Sequence, residues 1–456
     1  MARLLLPVFS LSSQKITIGR ADATSRVTAE FRIEKFLIML RSSTPPSSSQ
    51  SADTGTPRIH YLFLVIYLAG LSAFGSFVND MYIPSLPSMK EFFHCSVPTV
   101  QLGLTMGMIG LGLGEIVLGP ISDKYGRKPV LIATLIIFIA AAVVSVFSPT
   151  IEFFLCCRLA QGLGASGGYF LARTIPADFY AGRMLARTMA IVGAINGIAP
   201  ASAPVLGGFI SDSFTWRGVF WALAIIAVIL LVFTPRLKES LPKERRSQSS
   251  LLRTFGNYGQ LLRNRPFMIH VMLKASALGF LFAYISSAPF IMQTHFHFSQ
   301  TVFGCIIGAN AVFVAVGAML ALRFRILKRA ALAGGIGLAV AVATETVLMT
   351  TVDSFWAYEL PLLPILFCLG MIFTVSNTLA MNEGRRDAGG ASALLGMAGY
   401  VVGAIVSPLV GLGDILHSTA IVFAVVAVMV LVSAYMSARL PADLDRDPAA
   451  QSASND

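Results

Sequence analysis

The chain has 456 residues, 55% of them hydrophobic and only 12% charged, with a mean hydropathy of +0.74. Soluble chains carry roughly 25% charged residues, so this composition excludes an ordinary water-facing surface and points to lipid. The net charge of +11 is spread in short clusters between apolar runs, which record membrane topology rather than a nucleic-acid patch.

Residues 1–60 read as a flexible cytoplasmic tail. They hold scattered Lys and Arg and then the low-complexity run TPPSSSQSADTGT. The apolar string LLLPVF is too short for a signal-peptide core. A start at Met39 is the alternative reading, and N-terminal mass analysis decides it.

From residue 61 onward apolar runs alternate with short polar connections. A bilayer core of about 30 Å takes about 20 helical residues to cross. Spans are expected near 61–82, 97–119, 128–148, 152–174, 187–210 and 216–234. They continue near 267–292, 301–322, 331–351, 356–380, 389–412 and 416–438. The fold class is therefore an all-α polytopic membrane protein, with six helices over 61–234 and six over 267–438. A basic linker, 235–266, joins the sets, and 439–456 form a C-terminal tail. With both termini in the cytoplasm, the inside connections after the first helix and the C-terminal tail hold 22 Lys and Arg. The outside connections hold only Lys90 and Arg217, the asymmetry that fixes orientation. The five cysteines are widely spaced and odd in number, with no metal-ligand spacing, and read as small hydrophobes.

The residues that stand out follow in chain order. Asp80 closes the first run, before Met81-Tyr82-Ile83-Pro84-Ser85-Leu86-Pro87, and Glu115 sits among the glycines of the second. A carboxyl removed from water can exchange a proton near neutral pH, which makes both proton-coupling candidates. Glu115, about one turn from the helix end, has the alternative of staying ionised in water. Between the second and third helices lies Gly119-Pro120-Ile121-Ser122-Asp123-Lys124-Tyr125-Gly126-Arg127-Lys128. Gly119 permits close helix approach and Gly126 a sharp turn. Asp123 can pair with a base, and Arg127 and Lys128 anchor the loop at the surface; the segment suits a conformational latch. Arg158 lies inside an apolar run, where a charge faces a cavity or partner unless it snorkels to the interface. The fifth helix spaces Gly193, Gly197, Pro200, Pro204, Gly207 and Gly208, which reads either as a kinked packing helix or as a pliable seam against the other half. Lys274, one turn into the seventh helix, is expected to snorkel, and Glu345 has no partner legible in the sequence. His295 and His297 alone do not make a metal site.

These strings resemble segments of the major facilitator superfamily, and within it of the Bcr/CflA-type drug efflux transporters. The latch loop is similar to the superfamily's signature between helices two and three, and Asp80 to Pro87 to the branch's D-M-Y-x-P-x-x-P. Arg158-Leu159-Ala160-Gln161-Gly162-Leu163-Gly164 resembles R-x-x-Q-G-x-G, and helix five the antiporter motif. Phe282-Ala283-Tyr284, Ser287-Ala288-Pro289-Phe290 and Ala388-Gly389-Gly390-Ala391-Ser392-Ala393-Leu394 are also family-like. The likeness covers 61–438; Glu115 departs from the branch's usual Gln.

The resemblance implies a proton-coupled exporter of small amphipathic, drug-like molecules in the bacterial inner membrane, working by alternating access as a monomer. Protons are the coupling ion, no cofactor or metal is expected, and the partners are the substrate and the bilayer. It also implies that Arg158 takes part in proton transfer or coupling, and that helix five seals the path. A site near the midplane between parallel halves would be lined by Tyr82, Gln161, Asn196, Tyr284, Asn310 and Asn377, with Phe74 and Phe280. Proton-coupled transport of a metabolite, outward or inward, is the rival reading on the same fold. An intramembrane enzyme lacks its motifs here: there is no H-E-x-x-H and no G-x-S-x-G.

Overall fold

A backbone in hydrocarbon must satisfy its own N–H and C=O groups, and a continuous helix does so. The computed structural model describes residues 58–246, 259–385 and 388–440, all within one compact unit. The expected tail up to residue 57 with its alternative start at Met39, linker residues 247–258, and the tail beyond 440 lie outside the described residues. The long helices are α1 (Arg58–Asp80), α2 (Val97–Tyr125), α3 (Arg127–Val146), α4 (Ile151–Phe179), α5 (182–213) and α6 (216–233). They continue as α7 (Arg265–Pro289), α8 (Gln300–Ala321), α9 (Leu327–Thr351), α10 (Phe355–Glu383), α11 (Ala388–Leu409) and α12 (Ile415–Ala438).

Among the described residues, ten helical stretches are long and apolar enough to cross a membrane. One of these is the continuous run that holds both α5 and α6. The remaining helix, α4, is 29 residues long and carries Arg158, Arg173 and Asp178. All twelve expected crossings are thus present as helices. Their outward faces are apolar: Ile198, Phe209, Val232, Val340 and Ile421 are each more than 60% exposed. Side chains of this kind, unpartnered on so many helices, form the face that lipid covers.

Local chemistry sets the starts. Ser96, Thr150, Asn264, Ser299 and Asp414 each accept a bond from the backbone N–H three residues on, which satisfies an orphan donor at a helix N-terminus. The ends depart from the expected spans. α2 runs to Tyr125 and α4 to Phe179, so Gly119-Pro120 lies inside a helix and not in a loop. The connection from α2 to α3 is Gly126 alone, at φ +103°, where a Cβ is disfavoured. Between α5 and α6 the helix breaks at Phe214 and Thr215, the latter at φ +62°.

The halves α1–α6 and α7–α12 meet along two seams, α2 against α11 and α5 against α8. Away from the basic loops these seams are tight. Gln101 donates to the Ser286 carbonyl, Thr105 to the Ala404 carbonyl and Gln293 to the Pro84 carbonyl, each at 2.9 Å. The Asp212 carboxylate accepts from the Thr301 N–H at 2.9 Å. Gly208 lies against the Gln300 backbone and Gly304 against the Pro204 backbone, too close for any side chain. Toward the basic loops the contact ends: a side chain added at Gly193 or Gly197 would meet nothing within 4 Å.

Candidate functional site

Between the halves lies a cavity of about 880 Å³, closed at the tight end of the seams. Most of its wall is apolar, including Leu111, Leu278, Leu281, Phe282, Val314 and Phe373. Polar groups are few and placed at different depths. Asp80, at the end of α1, lies toward the closed end and is 9% exposed; the Asn79 amide donates to its carboxylate at 3.2 Å. Tyr284 and Asn310 face the same region, the Asn310 amide donating to the Tyr284 hydroxyl at 2.9 Å.

Nearer the basic loops the cavity carries a mixed-charge group. Glu115 of α2 is buried against Gly396 of α11, close enough to leave no room for a side chain there. Arg173 of α4 and Lys274 of α7 act on it electrostatically. The Arg173 guanidinium stacks on the Tyr169 ring at 3.9 Å, and Lys274 donates to Asn377 at 2.8 Å. Lys274 is thus held by a partner across the cavity wall rather than snorkelling to an interface. The arrangement can hold an amphipathic molecule: apolar in the middle, with an acid at the closed end and both signs of charge at the mouth.

Of the expected lining residues, Tyr284, Asn310 and Asn377 line the cavity, as do Asp80, Glu115, Gly197, Pro200 and Pro204. Tyr82 and Gln161 do not; both are fully buried around Arg158. Asn196 is not among the residues that line the cavity, although its neighbour Gly197 is. Phe74 and Phe280 pack inside the halves, on Phe138 at 4.7 Å and Phe423 at 4.4 Å. The cause is angular: on a helix, one residue's shift in register rotates a side chain from cavity to core.

Arg158 is fully buried, so it does not snorkel. It donates to the carbonyls of Gly103 and Val78, both at 3.3 Å, and to the Gln161 side-chain oxygen at 2.7 Å. Its guanidinium lies 4.2 Å from the Tyr82 ring centre. Gln161 is itself fixed by Ser145 at 2.9 Å. A planar fork with several donors is suited to such a site, where an ammonium is not. Val78 and Tyr82 flank Asp80, so Arg158 grips the end of α1 on both sides of that carboxyl without pairing to it.

The segment 119–128 forms a second constellation. Gly119 is in contact with Phe170 of α4. Arg127 is buried and pairs with Asp123 at 2.6 Å and Asp178 at 3.1 Å. The Glu239 carboxylate accepts from the backbone N–H of Arg127 at 2.9 Å and of Lys128 at 3.3 Å, capping α3 where the helix dipole favours an anion. Lys128 donates to the Pro235 carbonyl at 2.8 Å, and Arg246 closes on Glu239 at 3.7 Å. Arg127 and Lys128 therefore bind protein rather than the lipid surface. Sequence reading passed over Arg173, which falls near the end of the expected span 152–174, and over Asp178 and Glu239; the roles of all three depend on contacts distant in sequence.

A bundle of twelve helices in two halves around a cavity that is sealed at one end defines the membrane transporters of the alternating-access kind. The profile of the Major Facilitator Superfamily matches residues 68–408, and the chain belongs to that superfamily. It is 35% identical over 374 residues to YdgK, an MFS-type transporter of Bacillus subtilis, covering 79% of this chain and 90% of that one. It is 27% identical over 259 residues to the multidrug resistance protein MdtL of Escherichia coli, and there spans 55% of this chain and 61% of the relative. Among solved structures it is similar to the xylose transporter XylE of E. coli in a partially occluded inward-open conformation. The TM-score is 0.67 at 14% identity, over 84% of this chain and 98% of that one. A bacterial homologue of the lysosomal transporter Spinster, inward-facing, gives a TM-score of 0.66 at 12% identity, over 86% and 100%.

Proposed function

We propose that this chain is a proton-coupled exporter of small amphipathic, drug-like molecules, of the Bcr/CflA type. It works by alternating access in the bacterial inner membrane with both termini in the cytoplasm. The observation that carries the reading is Asp80, a carboxyl in the wall of an apolar cavity between the halves, bonded to Asn79 and in no ion pair among the described residues. The similarity to a multidrug resistance protein over part of the chain supports the substrate class.

With the basic loops inward, the cavity opens to the cytoplasm and the tight seam faces out. An amphipathic substrate enters among the apolar side chains, its polar group toward ionised Asp80. Once the halves rock, a proton from outside neutralises Asp80, the substrate loses its counter-charge and leaves. The neutral carrier returns and releases the proton inside. Exchange requires that proton and substrate bind antagonistically, which one carboxyl serving both achieves. Arg158 is a positioning residue, holding the α1 exit so that Asp80 stays at the closed end. Glu115, with Arg173 and Lys274 in its field, is the second candidate to carry the proton.

Inverted membrane vesicles with a preformed proton gradient and a pH-sensitive dye test this. Chloramphenicol and a panel of amphipathic compounds are expected to dissipate the gradient with wild type, and Asp80→Asn to abolish the response. If no compound in the panel does so, drug export is overturned. The paired cations Arg173 and Lys274 at the mouth then favour the second reading, proton-coupled transport of an anion-bearing metabolite.

A further inference from the structure

A second set of acids lies outside the mechanism above. Glu345 of α9 is 1% exposed and neither carboxyl oxygen has a hydrogen-bond partner. Glu359 of α10, on the adjacent helix, is 6% exposed, with one oxygen also unpartnered. Glu345 lies in the field of Glu359. Neither is in an ion pair among the described residues. Tyr358, 1% exposed, has an unpartnered hydroxyl and interacts electrostatically with both acids.

Among the described residues, no basic side chain acts on Glu345, Tyr358 or Glu359. α7 brings Tyr284, and α8 brings Asn310, whose amide reaches the Glu359 carboxyl and also donates to Tyr284 at 2.9 Å. α12, packed along α9, carries no titratable side chain between His417 and Tyr435. Two carboxylates on neighbouring helices, with one amide donor between them and no cation, are not kept ionised at such depth; a proton neutralises them. Tyr284 and Asn310 line the central cavity, so Glu359 lies one side chain away from that space.

We infer that Glu345 and Glu359, with Tyr358 beside them, form a second proton-binding site in the C-terminal half, connected to the cavity through Asn310 and Tyr284. Protons leave hydronium in the cavity and add to a carboxylate oxygen of Glu359 and to one of Glu345; they return to water through the cavity. The site is separate from Asp80 and Glu115 and does not depend on which compound the cavity takes.

Infrared difference spectroscopy of the purified full chain, titrated in lipid nanodiscs without any transported compound, tests this directly. Wild type is expected to show the C=O stretch of buried carboxylic acid at neutral pH. The stretch should persist in Asp80→Asn/Glu115→Gln and be lost when Glu345→Gln/Glu359→Gln is added to that background. A band that survives all four substitutions, or vanishes with the first pair, overturns the assignment. Glutamine mimics the protonated acid, so Glu345→Gln/Glu359→Gln should melt with wild type; a double variant that fails to fold counts against a neutral pair. A metal ion in place of the proton gives another signature: sodium chloride, but not choline chloride, would raise the melting temperature of wild type alone, and that too overturns it.

Discussion

Arg158 shows how one buried charge is kept in an apolar bundle. Its partners are carbonyls of α1 and α2, a glutamine and an aromatic face, a set that only a guanidinium can serve together. Arg158→Lys keeps the charge but leaves acceptors unmade, each worth about 1–3 kcal/mol when buried. The expected outcome is a lower melting temperature and loss of compound-driven proton movement, whereas Arg173→Lys, at the cavity mouth, should leave stability unchanged; equal melting of Arg158→Lys and wild type would refute this. Gly126 is a second residue whose identity is dictated locally. Its φ of +103° is one a Cβ disfavours, and the ends of the Arg246 and Glu239 side chains beside it would have to shift. Gly126→Ala should destabilise by roughly 1–2 kcal/mol, read in thermal unfolding of the purified protein.

At the scale of elements, α5 behaves differently along its length. Its C-terminal half is pressed against α8, with Gly304 on the Pro204 backbone, while Gly193 and Gly197 face no partner. Two substitutions on this seam should therefore have opposite signatures. Gly304→Leu forces the sealed end apart, and Ser286→Cys in a cysteine-free background should then label faster with a membrane-impermeant maleimide. Gly197→Leu meets nothing in this conformation, so the melting temperature should hold while transport is lost, because the open end can no longer close. Unchanged labelling in the first case, or transport at the wild-type rate in the second, would show that the seam is not the moving part. The spacing of glycines and prolines was legible in the sequence; which glycines are pressed and which are free was not, since that depends on α8.

For the whole molecule, the sealed end is held by polar contacts between halves that are few and specific. Asp212 and Thr301 meet side chain to side chain at 2.5 Å, which makes Asp212→Cys with Thr301→Cys a cross-link that locks the seal. Transport should stop on oxidation and return on reduction, with the helical signal in circular dichroism unchanged. Continued transport after complete cross-linking would mean that this end need not open.

Composition and hydropathy alone determined that the chain crosses a membrane, where its helices lie and which loops are basic, because those properties are sums over neighbours in sequence and lipid imposes them on every crossing. The motif at 119–128, the turn at Gly126 and the interest of Asp80, Glu115 and Arg158 could be read from residue type and spacing. Only the tertiary structure decided that Tyr82 and Gln161 serve Arg158 rather than the cavity, that Arg173 and Lys274 share a site with Glu115, and that Glu345 lies beside Glu359. Those facts depend on the rotation of each helix about its axis and on partners far apart in the chain, and neither is written in any local stretch of residues.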